Sequence, residues 1–107
     1  MYSSVNIFTV RADAWDAFIL LQHEQFLPLL RGQAGFLDFE IVQTGPDSGV
    51  ATLWWESEEA RISATPQLHG WVSHYLDPLF VTLDNPSGPV VMSTRSAIAL
   101  VGETGSS

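Results

Sequence analysis

The chain has 107 residues, a formal net charge of −8 at pH 7 and 46% hydrophobic residues. This length fits one domain with a single core, and a charged fraction of only 15% favours association with a second subunit. The acidic balance argues against duplex nucleic acid and anionic membrane surfaces as partners, since both require a basic protein surface.

Two residue types are missing from the sequence, and their absence removes several kinds of chemistry. Without cysteine the chain cannot use a thiolate nucleophile, a disulfide or a cysteine-bound metal, and without lysine it cannot form a Schiff base. The sequence also lacks a Gly-x-Gly-x-x-Gly motif, an apolar run as long as a membrane span and a basic region ahead of an N-terminal apolar block. We therefore expect a cytoplasmic protein.

The N-terminal third predicts a strand followed by a long helix. Residues 5 to 10 are mostly apolar or β-branched, with Asn6 as the most polar member of the strand. Asp13 is the expected N-cap of a helix that runs to about Leu30, with apolar residues at three- and four-residue intervals. Pro28 removes an amide donor inside this pattern, so the last turn is expected to kink or to end early.

The middle of the chain predicts a hairpin and a strand that runs directly into a helix. Residues 36 to 43 and 50 to 55 form the two strands, joined by a dense turn signal at residues 44 to 49. The second strand does not alternate between apolar and polar residues, so both of its faces are expected to be dry. Helices of the same chain can cover one face, and a partner subunit is the most economical cover for the other. Ser57 is the expected N-cap of the helix that follows.

The C-terminal half predicts a broken helix and a fourth strand. The helix is expected to break and restart with Thr65 as cap and Pro66 at the first helical position. Residues 80 to 83 fit either an extension of this helix or a short strand, residues 84 to 89 form a loop, and residues 90 to 94 are the expected fourth strand. Within a single domain of residues 1 to 101, Ala97 to Val101 is interpreted as an extra edge or exchange segment, and residues 102 to 107 as a loose tail.

The resulting order, βαββαβ, predicts an α+β chain with an antiparallel sheet in a ferredoxin-like arrangement. Four stretches carry a family resemblance: the strand of residues 5 to 10, residues 29 to 36 (LLRGQAGF), residues 54 to 60 (WWESEEA) and the helix of residues 71 to 79. Over roughly residues 5 to 94 the chain resembles the antibiotic biosynthesis monooxygenase superfamily of dimeric α+β barrels. The resemblance implies a homodimer whose two sheets face each other. It also implies oxidation of anthrone- or quinol-type substrates, or degradation of haem.

Asn6 and His74 are the polar candidates for chemistry. An amide on the first strand can orient a substrate carbonyl or an oxygen species in an apolar cavity, or simply bond a neighbouring backbone group. His74 suits a general base or an iron ligand, and its distance from the strand-to-helix junction resembles that of the axial histidine in haem-degrading members. Those members place a tryptophan about where this chain has Ala64, whereas its nearest tryptophan is Trp71. A solvated surface histidine is the structural alternative.

Aromatic side chains supply a candidate pocket for a planar substrate, because polycyclic ligands stack on such rings. The predicted wall consists of Phe8, Trp54, Trp55, Trp71 and Tyr75. A dimer core is the alternative use for at least one of Trp54 and Trp55. The three histidines have no paired carboxylates at ligand spacing, so the sequence predicts no metal site.

These features lead to the hypothesis of a homodimeric oxygenase that acts on a planar phenolic, anthrone or quinol-type substrate without a cofactor. His74 would remove a phenolic or benzylic proton, and Asn6 or the Trp71 indole would donate a hydrogen bond to the oxygen that gains charge. The carbanion or enolate would then reduce dioxygen itself. Two alternatives stay open: haem binding or degradation with His74 as ligand, and a non-catalytic dimeric ligand-binding module of the same fold.

Overall fold

A computed structural model describes residues 1 to 94, in which helices cover one face of a five-stranded antiparallel sheet. The elements in chain order are β1 (Tyr2–Val10), α1 (Trp15–Leu21), a π-helical turn (Gln22–Phe26), α2 (Leu27–Arg31), β2 (Phe36–Gly45), β3 (Ser48–Trp55), α3 (Glu58–Tyr75), a 3₁₀ turn (Asp77–Leu79), β4 (Phe80–Asp84) and β5 (Ser87–Pro89). The strand order is β2-β3-β1-β4, and β5 also pairs with β1. The predicted α+β class and ferredoxin-like topology are confirmed.

The two central strands, β1 and β3, give the sheet one covered face and one open face. Ala51, Leu53 and Trp55 are buried against the helices, whereas the alternate β3 residues are only half-buried on the opposite face. That opposite face also carries Ile7 and Val42, which are 48% and 53% exposed in the single chain. The sheet is therefore apolar on both sides, as predicted for β3, but the helices of this chain cover only one of them.

Two clusters of buried side chains lie between the helices and the covered face. The first contains Phe8, Val10, Ala14, Phe18, Ala51 and Leu76, and the second contains Phe26, Leu30, Leu53, Trp55 and Ala64. Burying a side chain such as Phe18 contributes about 1.5–3 kcal/mol relative to leaving it in water. The half-buried residues Phe39, Trp71 and Val72 pack against both clusters and connect them.

The first predicted helix corresponds to α1, the π-helical turn and α2, which follow one another directly, and it begins later than predicted. The prediction of Asp13 as N-cap was wrong: Ala14 is the cap residue, without a side-chain hydrogen bond, and Asp13 has a φ of +72°. Aspartate tolerates this left-handed conformation, so it serves the turn ahead of the helix. The disturbance expected from Pro28 lies one turn earlier, at residues 22 to 26. There the Leu27 amide donates to the Gln22 carbonyl, and this wider turn accommodates the proline ring before α2 continues.

The second predicted helix corresponds to α3, which runs without a break from Glu58 to Tyr75. Ser57 caps it as predicted, since its Oγ accepts a hydrogen bond of 3.1 Å from the Ala60 amide. The predicted break and restart at Thr65 and Pro66 was wrong. Pro66 lies on the exposed side of the helix, where water can satisfy the carbonyl that loses its amide partner. The Thr65 hydroxyl meanwhile donates to the Arg61 carbonyl at 2.8 Å.

The fourth strand lies earlier in the chain than predicted. It is β4, residues 80 to 84, the stretch for which the sequence left helix and strand open, and the prediction of a strand at residues 90 to 94 was wrong. The long strand β1 can accept two short neighbours on one edge, because β4 pairs with Ile7–Val10 and β5 with Tyr2–Ser4. The short strand β5 falls in the predicted loop of residues 84 to 89. Ala97 to Val101 and the tail lie outside the described residues.

None of the helices within residues 1 to 94 is long and apolar enough to cross a membrane.

Two glycines provide a matched test of how β2 packs against α3. Gly35 has a φ of +80°, and an added Cβ would lie 2.5 Å from the Cβ of Ala60, whereas nothing lies within 4 Å of a Cβ on Gly70 in α3. We expect Gly35→Ala to lower the free energy of unfolding by roughly 1–3 kcal/mol. Gly70→Ala should raise it by about 0.5–1 kcal/mol. Urea unfolding measures both, and an unchanged midpoint for Gly35→Ala would contradict this account of the contact.

Candidate functional site

A cavity of about 310 Å³ opens between the covered face of the sheet and α3. We call it the outer cavity. The sheet contributes Ser4, Asn6 and Trp55 to its lining, and α3 contributes Arg61, Thr65 and His69. Thr65 and His69 are exposed, whereas Ser4 and Trp55 are buried, so the cavity leads from solvent down to the sheet.

A smaller space of about 50 Å³ adjoins the outer cavity between the two buried clusters. We call it the inner chamber. It shares Asn6, Phe26, Val72 and Leu83 with the outer cavity, and its remaining lining includes Phe8. Asn6 and Gln22 are the only polar residues among those described as lining the chamber. A substrate that passes through the outer cavity would therefore meet an apolar interior with two amides.

Asn6 faces this site because of the two-residue period of β1. Phe8 and Val10 point to the covered face, so Asn6 must point there too, opposite Ala51 of β3. The side-chain NH₂ of Asn85 donates a hydrogen bond to the Asn6 Oδ1. The loop that carries Asn85 is held by a 2.8 Å bond from the Val5 amide to the Pro86 carbonyl. Asn85 thus occupies the oxygen of Asn6 and leaves its Nδ2 as a donor for another partner.

The two histidines of α3 lie on different sides of the helix. His69 lines the outer cavity, and its Nε2 lies 3.4 Å from the Ser73 hydroxyl. His74 lines neither of the two spaces; its ring packs edge-on against exposed Tyr75 at 4.6 Å. Five helical positions correspond to a rotation of about 140°. The structure therefore brings Asn6 together with His69, and not with the sequence-predicted His74.

Two of the five predicted pocket aromatics line the site, and three do not. Trp55 lines the outer cavity, with its indole N–H donating to the Ser4 hydroxyl at 3.3 Å, and Phe8 lines the inner chamber. Trp54, the neighbour of Trp55, points to the open face of the sheet instead, as the alternation of β3 requires.

Trp71 and Tyr75 stand behind the site without lining either space. The Trp71 ring stacks on Phe26 at a centroid distance of 5.0 Å, and Tyr75 packs on Trp71 at 5.2 Å. The Trp71 indole N–H donates to the Gln25 side chain at 3.2 Å. Since Phe26 lines both spaces, Trp71 supports a wall of the site from outside.

Two residues that line the site, His69 and Gln22, were not among the predicted site residues. An unbroken α3 would have placed His69 on one helical face with Thr65 and Val72, but the expected break at residues 65 and 66 hid this spacing. Gln22 occupies a position in the apolar stripe Phe18, Gln22, Phe26, Leu30, where residues recur every four positions. A polar residue inside such a stripe was the signal that could have identified it.

The fold and the site together define a small α+β protein with a ferredoxin-like sheet and a ligand-sized cavity under its helices. A model of the antibiotic biosynthesis monooxygenase family matches residues 1 to 71. The chain therefore belongs to the antibiotic biosynthesis monooxygenase family.

The solved structures with this fold include a described oxygenase and a protein with bound porphyrin. SnoaB, a cofactor-independent oxygenase from Streptomyces nogalater, has a TM-score of 0.73 at 18% identity, over 87% of this chain and 95% of SnoaB. MhuD, solved with two manganese protoporphyrin IX molecules per active site, has a TM-score of 0.68 at 20% identity, over 87% of this chain and 97% of MhuD. A putative antibiotic biosynthesis monooxygenase from Nitrosomonas europaea has a TM-score of 0.72 at 14% identity, covering 86% of this chain and 100% of its own.

No curated protein sequence matches the chain significantly. At identities of 14 to 20%, the solved structures establish the fold and leave the substrate to be argued from the site.

Proposed function

We propose that this protein is a cofactor-independent monooxygenase that oxidises a planar phenolic, anthrone or quinol-type substrate. Family membership and the likeness to SnoaB support an oxygenase. The observation that carries the proposal is the Asn6 amide, whose oxygen is held by Asn85 and whose Nδ2 remains a donor beside an apolar chamber. Such a donor stabilises negative charge that develops on a substrate oxygen, because few waters compete for the hydrogen bond in an apolar chamber.

The proposed base is His69, because this imidazole lines the cavity that Asn6 also lines. Its position at the exposed end of the cavity gives it access to a substrate lying along the sheet and lets it exchange protons with solvent. In this mechanism His69 removes a phenolic or benzylic proton, and the enolate oxygen accepts hydrogen bonds from the Asn6 Nδ2.

The substrate supplies all four electrons that dioxygen accepts, two on forming the hydroperoxide and two on its loss of water. For an anthrone, the carbanion carbon forms a bond to one oxygen atom of O₂, and the distal oxygen takes the proton, giving a hydroperoxide. Loss of water from this hydroperoxide leaves a carbonyl group, so that CH₂ and O₂ become C=O and H₂O. The protein needs to supply only a base, a hydrogen-bond donor and a dry, oriented pocket.

A set of three variants tests this assignment by oxygen uptake with anthrones and quinols. We expect Asn6→Ala to lower kcat by about 10²- to 10³-fold, since it removes a donor to the charged oxygen. His69→Ala should lower kcat by about 10²- to 10⁴-fold through loss of the base. His74→Ala is the matched control on the same helix and should retain activity. An equal loss in His74→Ala would overturn the choice of base, and no uptake by the wild type with any of these compounds would overturn the function.

Haem binding is the second candidate, because two residues that line the outer cavity suit a haem. The His69 imidazole can ligate iron, and the Arg61 guanidinium can pair with a propionate. Within residues 1 to 94 no group of three or more histidine and acidic side chains is placed to hold another kind of metal ion. The likeness to MhuD gives this candidate its structural support.

A haem titration separates the two candidates. If haem is the physiological ligand, adding it to the protein should shift the Soret band, and His69→Ala should abolish the shift while His74→Ala preserves it. An unshifted Soret band with the wild type would remove haem from consideration. The third hypothesis, a non-catalytic ligand-binding module, predicts binding of a planar aromatic compound in the outer cavity without oxygen uptake.

We also propose that a second copy of this chain covers the open face of the sheet. The face carries Ile7, Val42, Val50 and Trp54, an apolar group that a monomer would leave partly in water. The family resemblance implies the same arrangement, a homodimer in which the sheets of the two chains face each other.

Light scattering after size exclusion tests the dimer directly. We expect a mass of two 11.8 kDa chains for the wild type, and mostly monomer for Ile7→Asp, because burial of an unpaired carboxylate in the interface is costly. Leu20→Asp is the control, since Leu20 is 56% exposed on α1, away from the open face. A stable wild-type monomer would contradict the proposal.

A further inference from the structure

Gln22 is a buried polar side chain that the mechanism above does not use. Only 6% of its surface is exposed, and among residues 1 to 94 its Oε1 has no hydrogen-bond partner. Buried side-chain oxygens are nearly always paired, and an unpaired one destabilises the fold. An apolar residue would fill this position in the stripe between Phe18 and Phe26 at lower cost. A polar group retained here is best explained by a partner that the protein binds.

The backbone around Gln22 supports the same interpretation. Gln22 begins the π-helical turn and Phe26 ends it, and both side chains line the inner chamber. A π-helical turn disturbs the regular hydrogen bonding of a helix and is frequent at functional sites. The π-helical turn thus faces the chamber together with Phe18 of α1.

The inner chamber limits what the partner can be. Its volume of about 50 Å³ exceeds the share of one water in the liquid, about 30 Å³, and is far smaller than a polycyclic molecule. Its walls are aromatic and aliphatic apart from Asn6 and Gln22. The chamber therefore suits the edge of an aromatic ring with one small polar substituent, while the rest of the ligand stays in the outer cavity.

We propose that the inner chamber is a subsite for a ring hydroxyl, which donates its hydrogen bond to the Oε1 of Gln22. This inference rests on the proposed aromatic substrate and narrows it to compounds with at least two oxygen substituents. One oxygen accepts from the Asn6 Nδ2 and gains charge during the reaction. The other keeps its proton and pairs with Gln22, so that Gln22 acts as a specificity-determining residue and Asn6 as a catalytic one.

A matched pair of ligands tests the subsite without requiring turnover. 2-Hydroxyanthraquinone and 2-methylanthraquinone have similar shapes and the same carbonyls for Asn6, but only the first carries a hydroxyl that can donate to Gln22. Quenching of tryptophan fluorescence reports binding, since Trp55 lines the outer cavity. The wild type should bind the hydroxyl compound about 3- to 10-fold more tightly.

Two variants complete the binding test. Gln22→Met has a similar volume without the amide and should lose the preference for the hydroxyl compound. Gln43→Met, at an exposed position of β2, should keep it. Equal affinity of the wild type for the two compounds, binding of neither, or an unchanged preference in Gln22→Met would each overturn the subsite.

Unfolding in urea without ligand separates a binding role from a structural one. If Gln22 is kept for a ligand, Gln22→Met should unfold at the same or a higher urea concentration than the wild type, because a buried oxygen without a partner has been replaced by an apolar group. A clearly lower midpoint would show that the amide supports the fold and would overturn the proposal. Oxygen uptake without a preference for the hydroxyl compound would support the proposed monooxygenase function and overturn the subsite. A preference for the hydroxyl compound without oxygen uptake would support the subsite and overturn the monooxygenase function.

Discussion

The register of β1 is the constraint on which the rest of the structure depends. Its residues alternate between the two faces of the sheet, and Phe8 and Val10 must lie under the helices. A shift by one residue would turn the whole set to the opposite face, so the burial of these rings fixes the direction of every side chain in the strand. The packing of its neighbours in the strand therefore holds Asn6 in the site.

The helices leave room above Asn6 because their packing is irregular where they cross the sheet. A regular first helix would keep a continuous apolar stripe against β2 and β3, but the π-helical turn interrupts it between Gln22 and Phe26. The side chains consequently gather into two clusters, with the inner chamber between them. Packing in proteins is normally dense, so a space of this kind has a cost in stability that a ligand can offset.

The sequence predicted the features that depend on local chemistry and missed those that depend on the environment. The cap at Ser57 and the β2–β3 hairpin follow from nearby side chains, and both are confirmed. Pro66 was interpreted as the first position of a restarted helix because Thr65 suits a cap, yet the exposed side of α3 tolerates a proline within the helix. For the site, the two-residue period of β1 accounts for the shared face of Asn6 and Phe8. The predicted break in α3 hid the helical spacing that places His69 beside Thr65 and Val72. The burial of Gln22 depends on how the helices pack on the sheet.

The division of one edge of β1 between β4 and β5 places Asn85 in the connection between them. This connection holds the Asn6 oxygen, but it belongs to neither buried cluster. Evolution can therefore change the length or residues of this connection while the core stays intact. A connection that released Asn6 would let its amide rotate by half a turn and present an acceptor to the ligand. The polarity of the cavity floor thus depends on a short peripheral segment, which can differ between proteins that share this fold.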